Sequence, residues 1–265
     1  GRGTGGPVPG ATAYPGWPQL LDAEQLDALY VCVPPGGHGS VEEAAVDRGI
    51  PVFVEKPLAT DLATAERIAA RIEATGLVSA VGYHWRYLDT LEAARELLAD
   101  RPACLVRAAW LDKAPGVPWW ARQEESGGQT IEQATHLFDV ARVLVGEVTG
   151  GSAVGTRSPD GPGDILHACT AALRFAGGAV GSFSNSCLLP RGFRIGVELV
   201  APGLGLWLTE HQLVVSDVDG ERTIDRRVDP IRAEDRAFVA AVRGEGDDVR
   251  APYAEALRTH RLVTA

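Results

Sequence analysis

Glu55-Lys56-Pro57 follows directly on the apolar run Pro51 to Val54. A charged pair that ends a buried strand costs free energy unless it is ion-paired or solvated in a cleft. Lys56 and Lys113 are the only lysines, and the other basic side chains are arginines. Arginine stays charged, whereas a lysine ammonium is a compact donor that can hydrogen-bond a substrate oxygen and change protonation state when buried. Scarcity and placement mark Lys56 as a candidate for chemistry, with a surface salt bridge as the alternative. Lys113 lies in the loop "DKAPG" and reads as solvated.

A second group lies 76 to 83 positions further on. Glu132, His136 and Asp139 stand at i, i+4 and i+7 in "QTIEQATHLFDVARVLVG", a spacing that puts them on one narrow stripe of a helix. Ile131, Ala134, Leu137, Phe138, Val140, Ala141, Leu144 and Val145 make most of the remaining circumference apolar. Such a helix is largely buried, so the stripe faces either solvent or an internal cleft. A histidine oriented by a carboxylate one turn away works as a general acid/base near neutral pH. A zinc site would need a third protein ligand, from His84 or His167, and no local motif supplies it. Upstream, Trp119, Trp120 and Arg122 sit in the proline-bounded loop "VPWWARQEESGG". Paired tryptophans in a loop either pack between domains or form a wall on which a sugar stacks. His38, His167, His211 and His260 have no comparable context, and structural or surface roles are expected for them.

The elements that must carry these residues change character along the chain. "ALYVCV", "PVFVE" and "LVSAVGY" alternate with the helical patterns "SVEEAAVDRG", "DLATAERIAARIEATG" and "LDTLEAARELLAD". Apolar strands separated by amphipathic helices indicate a parallel sheet covered on both faces. Asp61 is placed to cap the second helix and Gly76 to end it. In an open parallel sheet ligands sit beyond the carboxyl ends of the strands. Those ends read "PPGGHG", Glu55-Lys56-Pro57 and Tyr83-His84-Trp85-Arg86. After residue 103, "CLVRAAWLD", "ILHACTAALRF", "AVGSFSNSCLL", "FRIGVELVA" and "LGLWLTE" alternate with a two-residue period between glycine-rich turns. That texture predicts a largely antiparallel sheet with one covered face. The central helix interrupts it, and two further helices close the chain.

Composition bounds the function. The 265 residues, 45% hydrophobic, suffice for one large or two smaller domains. A net charge of -10 argues against nucleic-acid and anionic-membrane partners. No run of about 18 apolar residues and no signal-peptide pattern occurs, so a soluble cytoplasmic protein is expected. Cys32, Cys104, Cys169 and Cys187 form no C-x-x-C pair and fall in apolar runs, which predicts four free, buried thiols. Methionine is absent, and the chain is expected to be a fragment.

The pieces "VCVPPGGHG", "VFVEKPLA", "VGYHWRY" and "GGQTIEQATHLFDVARVLVG", in that order, resemble the Gfo/Idh/MocA family of NAD(P)-dependent oxidoreductases, the glucose-fructose oxidoreductase and inositol dehydrogenase type. The similarity runs from about residue 11 to near the end. It implies an α/β fold in two parts: a partial Rossmann-type parallel-sheet domain over residues 1–87, then an α/β domain over 88–265 whose large, mostly antiparallel open sheet serves substrate binding and homo-oligomerisation. It implies NAD or NADP as cofactor, a polyol or sugar as substrate, and hydride transfer between a hydroxyl-bearing carbon and the nicotinamide.

By position, the resemblance gives Lys56 the reacting oxygen, His136 the hydroxyl proton and Glu132 an assisting role. Pro34, His38, Glu55, Lys56 and Pro57 would lie near the cofactor. Tyr83, Trp119, Trp120, Arg122 and His136 are expected on the substrate side, and no metal ligand is expected. The family often carries aspartate where this chain has Glu132. Gly1, Gly3 and Gly6 spell G-x-G-x-x-G, but no strand precedes them. "PVPGATAYPGWPQ" behind them holds four prolines, so no helix is expected to open there. The resemblance puts the pyrophosphate loop in an upstream unit of roughly 30 residues, so weak cofactor binding is expected of the chain as it stands. A non-catalytic binding or regulatory protein on the same fold is the alternative reading.

Overall fold

The computed structural model describes residues 9–265; Gly1, Gly3 and Gly6 lie outside them. The first helix, α1 (Trp17–Ala23), corrects one expectation. It opens at the end of the proline-rich stretch with Pro18 in its first turn, where the missing N–H has no intrahelical partner to lose.

Three short strands, β1 (Leu29–Val31), β2 (Val52–Val54) and β3 (Ser79–Val81), form a parallel sheet in that order. Every residue of β2 and β3 is buried, as a sheet covered on both faces requires. Val52 and Val54 face α2 (Ser40–Asp47) and α3 (Leu62–Thr75) in one core cluster with Ala45, Ile68 and Tyr83. Asp61 caps α3 by accepting from the Thr64 N–H at 2.8 Å, and Gly76 ends it at φ +65°.

The opposite face is covered by the far end of the chain. Phe238 of α7 (Pro230–Val242) meets Phe53 and Tyr30 edge-on, at centroid distances of 5.7 and 5.4 Å. Ala256 and Leu257 of α8 (Tyr253–Thr264), with Tyr253 at its start, join the cluster under α2 and α3. The last two helices therefore complete the first sheet.

The second sheet has eight strands in the order β11-β10-β9-β8-β4-β7-β6-β5. They are β4 (Leu105–Leu111), β5 (Val148–Thr156), β6 (Ala168–Phe175), β7 (Val180–Ser186), β8 (Arg194–Ala201), β9 (Leu204–Leu208), β10 (Gln212–Asp217) and β11 (Gly220–Asp225). All neighbours are antiparallel except β4 and β7. Val106, Phe183, Leu199, Leu206 and Val215 line its inner face, against Leu91 and Leu98 of α4 (Asp89–Leu98) and Leu137 and Val140 of α6 (Thr135–Val145). The short α5 (Gln123–Ser126) precedes α6. β5 carries three glycines and is exposed along most of its length, so no apolar alternation announces it.

The cysteines correct a second expectation. All four are free, but Cys32 and Cys104 are exposed, Cys169 is partly buried and only Cys187 is buried. Cys32 lies just past β1 and Cys104 just before β4, at strand ends where the apolar run meets solvent.

Phe238→Ala is expected to lower the unfolding free energy by about 3 to 5 kcal/mol, the usual range for an emptied aromatic core site. Urea denaturation measures it, and a loss below about 1 kcal/mol would contradict the covering role of α7.

Candidate active site

Lys56 stands two residues past β2, at the carboxyl end of the first sheet. Its Nζ donates to two acceptors on one residue, the Glu132 main-chain oxygen at 2.7 Å and the Glu132 Oε1 at 2.8 Å. The other carboxylate oxygen, Oε2, accepts from the Trp120 indole N–H at 2.6 Å. Glu132 sits in a π-helical turn, Thr130–Ala134, that leads into α6, so the single regular helix expected here is two segments. Such turns are frequent at functional sites. Gly127 and Gly128, at φ +73° and +85°, turn the chain from α5 into it. A Cβ on Gly127 would come within 3.1 Å of the Ile131 side chain.

His136 lies one helical turn on and is only 3% exposed. The His84 ring meets it edge-on at 4.8 Å and the Tyr83 ring at 5.7 Å, while Trp85 and Trp110 lie nearly parallel to it at 6.2 and 6.1 Å. Burial, reinforced by His84 and then Lys56, holds the imidazole well below the usual histidine value. It is therefore neutral and able to accept a proton. Glu132 does not orient it, being engaged by Lys56 and Trp120, and among the described residues His136 Nδ1 has no hydrogen-bond partner.

Asp139 also departs from that expectation. It is 1% exposed and takes a two-pronged contact from Arg86, with Nε at 2.7 Å and Nη2 at 2.6 Å, plus the Thr259 hydroxyl at 2.7 Å. Arg142 reaches Thr259, Glu147 and Glu255 in the same network. The stripe thus faces an internal cleft, but its third member is an anchor that ties α6 to the turn His84–Tyr87 and to α8.

The residues expected near the cofactor divide. Pro34 is exposed at the carboxyl end of β1, and Pro57 is buried behind a cis Lys56–Pro57 bond. Burial pushes the Glu55 carboxyl up, against the pull of Lys56. A Cβ on Gly82 would lie 2.9 Å from both Glu55 carboxylate oxygens, so glycine there makes room for Glu55. The His38 side chain is fully buried against Glu42, which also accepts from the Gly39 N–H at 2.7 Å. That contact occupies the start of α2, and the pair braces the turn from beneath.

The residues expected on the substrate side also divide. Tyr83 is fully buried with its hydroxyl 2.7 Å from Thr135 Oγ1, so it supports His136 from behind. Trp120 is 1% exposed and packs with Ile165, Cys187, Ala114 and Trp119, which leaves no open ring face for a sugar. Arg122 is exposed and paired with Glu125 at 2.5 Å. His84 and Trp85, at the strand end already singled out, meet His136 here, and Trp110 and Glu210 join them with no signal in the sequence. His84 Nε2 lies 3.5 Å from Glu210 Oε1 in the turn between β9 and β10, and this contact holds the Glu210 carboxyl below its usual range. The run "YHWRY" after the third strand was the available signal. A cavity of about 720 Å³ lies between Phe138 and Arg142 of α6 and the strands β5 to β7.

This arrangement sits on a chain with clear relatives. Residues 8–83 match the model described as "Oxidoreductase family, NAD-binding Rossmann fold" of the GFO/IDH/MocA group, and residues 103–201 match the GFO/IDH/MocA C-terminal domain. The chain belongs to this oxidoreductase family. It is 29% identical over 189 residues to the scyllo-inositol 2-dehydrogenase (NAD(+)) of Bacillus subtilis, covering 69% of this chain and 55% of that protein. It is 26% identical over 222 residues to the myo-inositol 2-dehydrogenase of Thermotoga maritima, covering 79% of this chain and 65% of that one. The chain thus spans less than two thirds of either relative's length. A solved levoglucosan dehydrogenase in complex with NADH and levoglucosan superposes with a TM-score of 0.81 at 21% identity, over 94% of this chain and 80% of that one.

Because burial depresses His136 in the folded state, the unfolded chain binds more protons as pH falls below about 6.5. The stability present above that pH is lost as pH drops toward the folded value, and His260, depressed mainly by burial too, adds to the slope. Urea unfolding between about pH 7 and 5 is expected to show this loss, with a shallower slope for His136→Phe. An unchanged slope in that variant would contradict the buried, neutral imidazole.

Proposed function

We propose that this protein oxidises a hydroxyl-bearing carbon of a polyol or sugar, or reduces the matching ketone, with a nicotinamide dinucleotide as hydride partner. The observation that carries the reading is the Lys56–Glu132 contact, which brings an ammonium from the first sheet within one helical turn of a buried, neutral imidazole. The inositol dehydrogenase relatives support the substrate class.

The exposed backbone of Pro34, Gly36 and Gly37, the half-buried Glu55 and the Lys56 ammonium fit the nicotinamide end of such a cofactor. When bound, the cofactor supplies the hydride acceptor or donor. Lys56 donates to the reacting oxygen and stabilises the charge that develops there. His136 accepts the hydroxyl proton in oxidation and returns it in reduction. The aromatic rings around His136 exclude water and fix its plane. Arg86 and Asp139 hold the helix that carries it.

Self-association through the outer face of the large sheet belongs to the same proposal. Leu105 pairs in register with both Val180 and Val200, so three apolar residues form one row across β7, β4 and β8. Val180 and Val200 are exposed. Among the described residues no helix is long and apolar enough to cross a membrane.

Lys56→Ala and His136→Ala are each expected to lower kcat on a responsive polyol by about 100-fold or more. For His136→Ala, cofactor binding, followed by energy transfer from the tryptophans to NADH, is expected to stay within a few-fold. Near-normal turnover in both variants would contradict the assignment.

A further inference from the structure

We infer that Trp120 is a positioning residue for Lys56, acting through the Glu132 carboxylate. The inference rests on the dehydrogenase reading of the cleft, to which it adds a residue that need never touch substrate.

The donors and acceptors around Lys56 are nearly all committed. A lysine ammonium has three protons. Two are directed at Glu132, one to its main-chain oxygen and one to Oε1, which leaves one for a reacting oxygen. The carboxylate that sets this direction is itself fixed at its other end, because Oε2 accepts from Trp120 Nε1 at 2.6 Å. An indole N–H donates and never accepts, so the contact cannot reverse when the ammonium shifts. The pair is charge-assisted, which makes it stronger than a neutral hydrogen bond. Trp120 is immobilised by its packing with Ile165 and Cys187, and Lys56 and Glu132 are 17% and 13% exposed. The line Trp120, Glu132, Lys56 thus transmits the position of the loop around residue 120 to the reacting lysine.

The same contacts explain what glutamate does at position 132. Its two carboxylate oxygens join the Lys56 ammonium to the indole. With both oxygens bound, Glu132 is a clamp on Lys56, and it is not a partner for a substrate hydroxyl. Misplacing a catalytic group by about 1 Å can cost about 100-fold in rate. Loss of the indole N–H should therefore appear in kcat and spare KM.

Trp120→Phe keeps most of the ring and removes the N–H. Two readouts are taken on the whole protein for wild type, Trp120→Phe, Glu132→Gln and the double variant. The first is steady-state turnover of a cyclitol or pyranose panel. Trp120→Phe is expected to lower kcat about tenfold with KM within about twofold, and to cause no further loss on the Glu132→Gln background.

The second readout needs no activity. Trace acetylation with acetic anhydride and peptide mass mapping reports Lys56 against Lys113, the two lysines of the chain. The Lys56 to Lys113 labelling ratio is expected to rise several-fold in each single variant and no further in the double. An unchanged ratio in Trp120→Phe, or additive effects of the two substitutions, would overturn the inference. Should Trp120→Phe fail to fold, Glu132→Asp carries the labelling test: its shorter carboxylate is expected to loosen the contact to Lys56 or the indole and raise the ratio, and an unchanged ratio again overturns the inference. Labelling that behaves as expected in a protein that turns over no polyol would sink the dehydrogenase reading and leave the positioning role intact. Turnover that depends on Lys56 and His136 but ignores Trp120 in both readouts would do the reverse.

Discussion

The buried ion pair of Arg86 and Asp139 is the constraint on which the site depends. Arg86 belongs to the turn that leaves the first sheet, and Asp139 to the helix that crosses the second. Burying two charges is costly, and Coulomb attraction offsets that cost only where geometry is good and the remaining lone pairs are satisfied. Here the contact is two-pronged, Thr259 supplies a further donor, and Glu255 accepts from both Arg86 and Arg142. Removing one partner of such a pair costs about 3 to 5 kcal/mol. The network therefore fixes both the rotation and the height of α6 against the first unit.

Once α6 is fixed, the chemistry one and two turns closer to its start follows. His136 is turned into a box of aromatic rings and is held neutral by burial. Glu132 is turned toward Lys56, whose own position is set by the end of β2. Two elements more than seventy residues apart thus present one donor and one base to the same space. The helices α7 and α8 close both faces of the small sheet, so the frame under Lys56 is made by the last part of the chain as well as the first.

Much of this was legible in the residues. The apolar runs, the Asp61 cap, the Gly76 stop and the lone lysine after a strand each have a local physical cause, and local causes are visible in sequence. So was the stripe of Glu132, His136 and Asp139, because helical period alone sets it. What each member of the stripe does was not legible. Asp139 meets Arg86 and Glu132 meets Trp120 across folds of the chain that no spacing encodes. β5 was missed because three glycines and an exposed course leave no alternation to read. The buried role of Trp120 and Tyr83 was hidden for a related reason: an aromatic beside a cleft has the same sequence whether its face or its edge meets the ligand. Cys32 and Cys104 lie in apolar runs yet at their ends, where one residue decides burial.

The central claim is that this cleft moves a hydride while His136 and Lys56 manage the proton and the oxygen. The most direct measurement supplies the protein with oxidised nicotinamide cofactor and with cyclitols and pyranoses carrying deuterium on the hydroxyl-bearing carbons, then reads C4 of the reduced nicotinamide by NMR. Deuterium at C4, delivered by at least one of these substrates, is the predicted result. Binding of cofactor and polyol with no deuterium transferred across the whole set would contradict the account.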